Sequence, residues 1–439
     1  MANDLTGRWA ALSFLENMLD EHMSLDQAFD QTCHYYGDKL SGQDRGFVRH
    51  LGTTCMRRLG QLDAMINHCT PNRLTGKQST IRNILRLGIT QLLYMAVPAH
   101  AAVNSAVKMT DKQKNTSDRH TKGMVNAILR RIDREHEKFS TKFSPNLNIP
   151  KWLKASWTAR YGADTAEKIA MALLDEPPLD FTLKPQLDGR EWANMLGGDL
   201  LPNGSIRVKK AGLVQNLSGY DDGAWWIQDV AASLPVSLLG AKEGELVLDL
   251  CAAPGGKAAQ SAAIGCLVTA VDQSKRRLRR LQENMERLKL TCSVVTSDAA
   301  DYRPEKPFPF ILLDAPCSST GTMRRHPDVS RRRGPGDIAA LAEIQTRLLN
   351  AAVDMMPVGG ILLYCVCSLQ AEEGPDQIKA LLHRNRTVKR KGIQAAELPG
   401  VEAAILKDGD IQTLPYYHPD NFSGGMDGFF ISRLRKVSE

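Results

Sequence analysis

Residues Val247-Leu-Asp-Leu-Cys-Ala-Ala-Pro-Gly-Gly-Lys257 carry the strongest indication of the fold of the C-terminal half of this chain. Its first four residues form a short apolar run that predicts a buried strand. Gly255 and Gly256 then let the backbone pass close to a ligand, before a helix whose first N–H groups suit a carboxylate or a phosphate. The pattern is not Gly-x-Gly-x-x-Gly, which argues against a dinucleotide. Taken alone, the loop also fits a simple tight turn.

Further apolar runs follow at residues 267–271, 293–296, 310–313 and 360–366, with helical segments between them, for example at 275–288 and 337–356. Strands that alternate with helices predict a mostly parallel, doubly wound sheet. Ligands of such sheets bind at the carboxyl ends of the strands. The residues that follow each strand are therefore the candidates for a functional site.

Two acidic residues in these positions suggest an adenosine-containing ligand. Asp272 ends the second strand, where an acid can accept hydrogen bonds from ribose hydroxyls, although it could also cap the helix that begins near Ser274. Asp298 follows the third strand, where it could approach an adenine amino group or simply form a turn. Asp249 and Asp314 would favour a cationic ligand.

Cysteines follow the fourth and fifth strands, in Asp314-Ala-Pro-Cys317 and Tyr364-Cys-Val-Cys-Ser368. Two thiols over one cleft suggest thiolate chemistry, whereas a buried cysteine in an apolar strand is usually inert. Strict alternation puts Cys365 and Cys367 on one face, and only a break after Val366 would aim Cys367 differently. Periodicity alone does not choose between them. No metal is expected, because histidine partners are absent nearby.

Basic residues are concentrated in two places. Five arginines lie within residues 324–333, which suits a phosphate backbone or a solvated loop. Residues 46–150 hold 17 Lys and Arg against 6 Asp and Glu. Apolar spacing predicts helices at 81–95 and 124–133, the second carrying Arg130 and Arg131. This pattern predicts a helical bundle whose basic face either contacts RNA or is only solvated.

Composition indicates the nature of the remaining segments and of the chain as a whole. Residues 139–150 resemble a linker, 152–174 are helical, and 180–226 predict short strands and turns. Hydrophobic residues at 43% and charged residues at 24% exclude a disordered chain. Apolar runs are too short to cross a membrane, and residues 1–21 lack a signal pattern. Nine cysteines without a Cys-x-x-Cys pair suggest free thiols and a cytoplasmic protein. The net charge of +7 favours an anionic partner.

Together these loops resemble the bacterial Fmu/Sun family of RNA cytosine-C5 methyltransferases. The motifs in the catalytic half are those at residues 249–257, 314–317, 324–328, 364–368 and 427–430. The N-terminal half resembles the NusB-like domain of the family through residues 85–88, 91–95, 98–104 and 125–130. This combination is similar to the branch that methylates small-subunit (16S) ribosomal RNA.

The resemblance implies a role for each candidate residue. Cys367 matches the nucleophile, Cys317 matches the second cysteine that assists product release, and Asp314 would lie between cofactor and cytosine. S-adenosylmethionine would be bound by Asp272 at the ribose, by Asp298 near the adenine, and by the loop residues Cys251, Ala252, Ala253, Pro254, Gly255, Gly256 and Lys257. In the sequence Val366 replaces the usual Thr, Cys365 is an extra thiol, and Ala258 stands where Thr is common. None of these departures removes a catalytic group.

The expected organisation has three parts. Residues 1–140 form an all-α NusB-like RNA-binding domain, 141–225 a small α+β connecting domain, and 226–439 an α/β Rossmann-like methyltransferase domain. The expected activity is methylation of a cytosine in 16S ribosomal RNA by a monomer, with no membrane or metal partner. The alternatives are the same chemistry on transfer RNA, or an RNA-binding assembly factor without catalysis.

Overall fold

The computed structural model describes residues 5–70, 74, 76–111, 119–209, 211–418 and 422–439. The chain forms two compact units. The first contains residues 1–176 and 323–332, and the second contains residues 177–322 and 333–439. This grouping puts residues 141–176 with the helical unit, so the division at residues 140 and 225 stays a prediction.

The first unit is helical. Its helices up to residue 172 are α1 (Thr6–Leu19), α2 (Leu25–Tyr36), α3 (Gly42–Arg57), α4 (Leu59–Cys69), α5 (Ser79–Tyr94), α6 (Ala99–Asp111), α7 (Arg119–Arg134), α8 (His136–Lys142), α9 (Lys151–Tyr161) and α10 (Ala163–Ala172). Ser24 and Ser41 begin α2 and α3 with capping boxes, which satisfy free N–H groups of the first turn. Helices α1 and α3 pack closely, because a Cβ at Gly52 in α3 would lie 2.4 Å from the ring of Phe14 in α1. The predicted helices at 81–95 and 124–133 are confirmed.

The expected linker at 139–150 is wrong. Its first residues belong to α8, and Phe139 is buried in the helical core. The Asn148 amide donates to the Gln61 side chain and accepts from the Gln61 backbone N–H, both at 2.9 Å. The segment is therefore a short, hydrogen-bonded turn, in which the Ser144 hydroxyl and the Asn148 amide accept from backbone N–H groups.

The second unit begins with a small antiparallel sheet. Its strands are β1 (Leu179–Leu183), β2 (Asp199–Leu200), β3 (Ile206–Val208) and β4 (Trp225–Ile227), in the order β2-β3-β1-β4, with α11 (Gly189–Leu196) beside them. A buried ion pair joins its strands, since Arg207 donates to both carboxylate oxygens of Asp180 at 2.7 and 2.8 Å. The predicted short strands and turns are confirmed.

The main sheet carries the candidate loops. Its strands are β5 (Leu246–Leu250), β6 (Leu267–Asp272), β7 (Ser293–Thr296), β8 (Phe310–Asp314), β9 (Ile361–Val366), β10 (Val388–Arg390), β11 (Ile411–Gln412) and β12 (Phe430–Lys436). Helices of the second unit that accompany it are α12 (Val230–Leu239), α13 (Gly256–Ala263), α14 (Lys275–Arg287), α16 (Pro335–Asp354) and α17 (Pro375–Arg384); α15 (Val329–Arg332) belongs to the first unit. The order is β10-β12-β9-β8-β5-β6-β7, with β11 paired to β12.

Parallel pairing joins β5, β6, β7, β8 and β9, whereas β12 runs antiparallel to its neighbours. The register places Asp314 opposite Cys365 and Asp272 opposite Thr296. The carboxyl ends of the parallel strands thus lie at one edge, as a doubly wound sheet requires. The architecture of the expected fold class is confirmed: an all-α part, a small α+β part and a Rossmann-like α/β part.

Candidate active site

Asp272 organises the loop that follows β5. Its carboxylate accepts hydrogen bonds from the Ala253 N–H at 3.2 Å and the Ser274 N–H at 2.9 Å, and the Arg277 guanidinium lies 3.3 Å away. The cap of α14 is Ser274, whose hydroxyl accepts from the Arg277 N–H. Asp272 is therefore not the helix cap, and it fixes the position of the glycine loop instead.

Asp298 lies in the same cleft. Its carboxylate accepts from the Ala300 N–H at 2.9 Å and from Arg347 at 2.7 Å. Burial raises the pKa of Asp298, but these two donors outweigh it and hold the pKa below its usual value. The cleft is also lined by Cys251, Asp272 and the apolar Ile344 and Leu348. Carboxylates beside apolar side chains suit the hydroxyls and the ring of an adenosine.

Gly255 explains the backbone of this loop. Its φ is +102°, a conformation that favours glycine, and a Cβ there would lie 2.8 Å from the Leu281 side chain. The loop therefore packs closely on α14 while its other side leads into the first turn of α13. Any larger residue at this position would push the loop away from the helix.

Asp314, at the end of β8, is held from two sides. Lys257 donates to its Oδ2 at 2.7 Å, and the Cys365 thiol donates to its Oδ1 at 3.5 Å. Burial lowers the pKa of Lys257, but Asp314 and the nearby thiols raise it above its ordinary value. Lys257 is therefore a permanent cation beside the cleft, and it also lies 5.3 Å from the centre of the Phe429 ring.

The two cysteines that follow β8 and β9 meet. Strand β9 ends at Val366, so Cys367 leaves the alternation that would have placed it with Cys365, and its Sγ lies 3.4 Å from the Cys317 Sγ. The Cys317 hydrogen bond lowers the pKa of Cys367, although burial opposes it. The same bond, together with burial, raises the pKa of Cys317. Of the two, Cys367 therefore ionises more readily than Cys317.

The remaining thiols of this site are poor nucleophiles. Burial raises the pKa of both Cys251 and Cys365, and neighbouring carboxylates add to the effect. Cys365 is fully buried inside β9. The structure thus separates Cys367 from Cys365, a choice that sequence periodicity left open.

The Asp427-Gly-Phe-Phe motif supports the cysteine loops. Gly428 donates its N–H to the Gly321 carbonyl at 2.9 Å, and Gly321 donates its own N–H to the Cys367 carbonyl at 3.0 Å. A Cβ at Gly321 would lie 1.8 Å from the Gly428 carbonyl oxygen. This approach allows only glycine and brings three motifs distant in sequence into contact.

The arginines of residues 324–333 behave differently from the expectation. Arg324 is only 2% exposed, and its carbonyl accepts from Arg57 at 2.9 Å within the first unit. Arg331 donates to the Asn148 carbonyl at 3.4 Å. Asp328 is also buried and accepts from the Leu25 N–H at 3.2 Å. Residues 323–332 belong to the helical unit, and Arg324 is a buried structural residue. Phosphate contact by the other four arginines stays a prediction.

Several functional neighbours were missed by sequence reasoning. Arg277 and Arg347 pair with Asp272 and Asp298, and the Cys367 thiol lies 3.6 Å from the Ser319 hydroxyl. Helix periodicity gave no signal for the arginines, because a basic residue on an exposed helix face is ordinary. Glu373, discussed below, was missed as well.

Within the part of the chain that the structure describes, no group of His, Cys, Asp and Glu could hold a metal ion. The same described residues contain no helix long and apolar enough to span a membrane.

Comparison with known proteins decides the family. Residues 236–435 match the model for 16S rRNA methyltransferase RsmB/F, and residues 6–134 match the NusB family. Ribosomal RNA small subunit methyltransferase B of Cronobacter sakazakii is 32% identical over 99% of this chain and 100% of its own length. The protein of the same name from Pseudomonas putida is 32% identical over 98% of each chain. The chain belongs to the RsmB/F methyltransferase family.

A solved structure agrees with this membership. A methyltransferase homolog protein from Pyrococcus horikoshii is 26% identical, with a TM-score of 0.56, and covers 67% of this chain and 98% of that one. As a member of the RsmB/F family, this chain is an S-adenosylmethionine-dependent methyltransferase. The cleft of Asp272 and Asp298, which apolar side chains also line, fits that cofactor.

Proposed function

We propose that this RsmB/F family member methylates C5 of a cytosine in 16S ribosomal RNA through a covalent bond between Cys367 and C6. The observation that carries the proposal is the contact of Cys317 and Cys367 at 3.4 Å, with the pKa of Cys367 lowered and that of Cys317 raised. The ribosomal target follows the names of the relatives, and transfer RNA is the competing substrate to be tested.

Cytosine C5 is a poor nucleophile, and the Cys367 thiolate would change that. When sulfur bonds to C6, the electron pair of the C5–C6 double bond becomes available at C5. S-adenosylmethionine supplies an electrophilic methyl group when it is bound. The RNA must present an unstacked cytosine, because the thiolate approaches C6 from the face of the ring.

Product release then needs a base for the C5 proton. Once Cys367 is bonded to carbon, it no longer accepts the hydrogen bond that raises the pKa of Cys317 most. Cys317 can then lose its proton to solvent and take the proton from C5. The C–H electrons restore the double bond, and the Cys367 thiolate leaves. Cys317 would therefore end the turnover as a thiol and Cys367 as a thiolate, as they began it.

The binding residues fit this scheme. Asp272 and Asp298 would hold the adenosine part of the cofactor, and the loop of residues 251–257 would hold its methionine end. Asp314, fixed by Lys257 at 2.7 Å, would lie between cofactor and cytosine. Arg130 and Arg134 are exposed on α7 and are candidates for phosphate contacts that weaken with salt.

The test is methyl transfer from labelled S-adenosylmethionine to unmodified 16S ribosomal RNA, with transfer RNA as competitor. Cys367→Ala should abolish labelling and form no adduct, whereas Cys317→Ala should accumulate a covalent RNA adduct that survives denaturing gels. Cys292→Ala, a distant cysteine of the same unit, is the matched control and should behave as wild type. The reverse adduct pattern would refute the assignment of the nucleophile.

The other outcomes separate the alternatives. Labelling of transfer RNA alone would keep the chemistry and overturn the ribosomal substrate. Absence of labelling on either RNA, with S-adenosylmethionine still bound, would instead favour an RNA-binding assembly factor.

A further inference from the structure

Glu373 is a buried carboxylate that joins the two cysteine loops. It is completely buried in the segment between β9 and α17. Its Oε1 accepts from the Ser318 N–H at 2.7 Å, and its Oε2 accepts from the hydroxyls of Ser318 and Ser368, both at 2.5 Å. These serines directly follow Cys317 and Cys367 in the chain. One side chain therefore links the backbone and the hydroxyl of Ser318 in one cysteine loop to the hydroxyl of Ser368 in the other.

Further contacts hold Glu373 itself in place. The Gln345 amide donates to Glu373 Oε1 at 3.2 Å and to the Pro316 carbonyl at 2.9 Å. The Tyr364 hydroxyl donates to the Glu373 carbonyl at 2.6 Å. These contacts fix Glu373 against helix α16 and strand β9. Cys367 directly follows β9 in the chain.

The chemistry of the group argues for a specific purpose. Burial of a carboxylate is costly, and hydrogen bonds to a charged acceptor are roughly twice as strong as neutral ones. Four such bonds converge on Glu373. Three of them come from Ser318 and Ser368, so the carboxylate resists any movement that separates the two loops.

We propose that Glu373 is a positioning residue that sets the distance between the thiols of Cys317 and Cys367. The inference rests on the proposed roles of these cysteines. Without the carboxylate the serine donors lose their common acceptor and the two loops are held less firmly, although Gly321 still donates to the Cys367 carbonyl. Cys317 then donates less well to the Cys367 thiolate. The charge of Glu373 also raises the pKa of Cys317, after the effects of Cys367 and of burial. A higher pKa keeps the proton on Cys317, so Cys317 remains the hydrogen-bond donor.

The test is the pH profile of alkylation of Cys367 by iodoacetamide in the full chain without RNA, read by peptide mass spectrometry. Glu373→Ala should move the midpoint up by about one pH unit, making alkylation about tenfold slower at neutral pH. Cys317→Ala should produce a similar shift. Because Glu373 acts through Cys317, the double variant should shift no further than Cys317→Ala alone. Glu372→Ala, at the exposed neighbouring residue, should match wild type.

A folded Glu373→Ala protein with the wild-type profile would overturn the proposal, as would a double variant that shifts clearly further. Ser368→Ala keeps Glu373 and removes one donor, so it tests the same idea if Glu373→Ala does not fold. It should shift the midpoint upward by a smaller amount, and no shift would count against the proposal.

Turnover provides a second measurement. In Glu373→Ala, kcat should fall at least about tenfold while the Kd for S-adenosylmethionine stays within about threefold, because the cofactor cleft is untouched. If kcat and the affinity for S-adenosylmethionine fell equally, the substitution would have disturbed the whole site, and the positioning role would be overturned. Alkylation needs no RNA, so failure of the wild type to methylate would contradict the proposed function without affecting the alkylation result.

Discussion

Asp249 offers a prediction with a calculable pH dependence. It is fully buried in β5, and among the described residues neither of its carboxylate oxygens has a hydrogen-bond partner. Burial, with a further contribution from Asp314, raises the pKa of Asp249 from 3.8 to about 8. Between these values the folded protein holds a proton that the unfolded chain releases. The stability of the wild type should therefore fall as the pH rises from about 4 to about 8.

Asp249→Asn removes this titration. One pKa unit corresponds to about 1.4 kcal/mol, so the stability of the variant relative to wild type should grow by about 4 kcal/mol between pH 5 and pH 8. The unpaired amide in Asp249→Asn lowers the free energy of unfolding by the same amount at every pH. It therefore does not change how the difference between variant and wild type depends on pH. The cavity stays filled, because Asn and Asp have nearly the same shape.

The assay is urea unfolding of both proteins at several pH values. Hydrogen exchange of the β5 peptides, compared at equal pH, assigns the transition to the main sheet rather than to the helical unit. Asp354→Asn, at an exposed carboxylate of the same unit, is the control and should show no pH-dependent gain. A stability difference of the same size at pH 5 and pH 8 would refute the reasoning.

Three further predictions concern single contacts. Cys365→Ser should keep methyl transfer within about threefold, because a hydroxyl also donates to Asp314, whereas Cys365→Ala should lower kcat several-fold. Arg207→Met should lower the free energy of unfolding by about 3–5 kcal/mol, since it leaves buried Asp180 without its partner. Gly321→Ala should abolish methyl transfer, because the new Cβ would lie 1.8 Å from a carbonyl oxygen. Steady-state kinetics and urea unfolding measure these effects.

Matched variants serve as controls. Arg49→Met breaks an ion pair with Asp26 that is about half exposed, and it should cost much less than Arg207→Met. Gly336→Ala adds a Cβ with no heavy atom within 4 Å and should retain activity. Equal effects of the two glycine variants, of the two arginine variants, or of Cys365→Ser and Cys365→Ala would contradict the corresponding explanation.

Local sequence patterns are sufficient to predict the class of fold and the set of candidate residues. The apolar runs around residues 247–250 and 310–313 are long enough to identify strands, and the residues that follow them must lie at one edge of a parallel sheet. The order of the motifs then indicated the family. These conclusions are reached from the sequence because strands, turns and motifs are formed by residues that are close together in the chain.

Which of these side chains contact one another depends on how the whole chain folds. The end of β9 at Val366 turns Cys367 toward Cys317, although alternation would have put it with Cys365. Residues 323–332 belong to the helical unit, and Glu373 accepts hydrogen bonds from both cysteine loops. Contacts between residues about 50 positions apart leave no periodic signal, because packing and the satisfaction of buried polar groups create them only when the whole chain has folded.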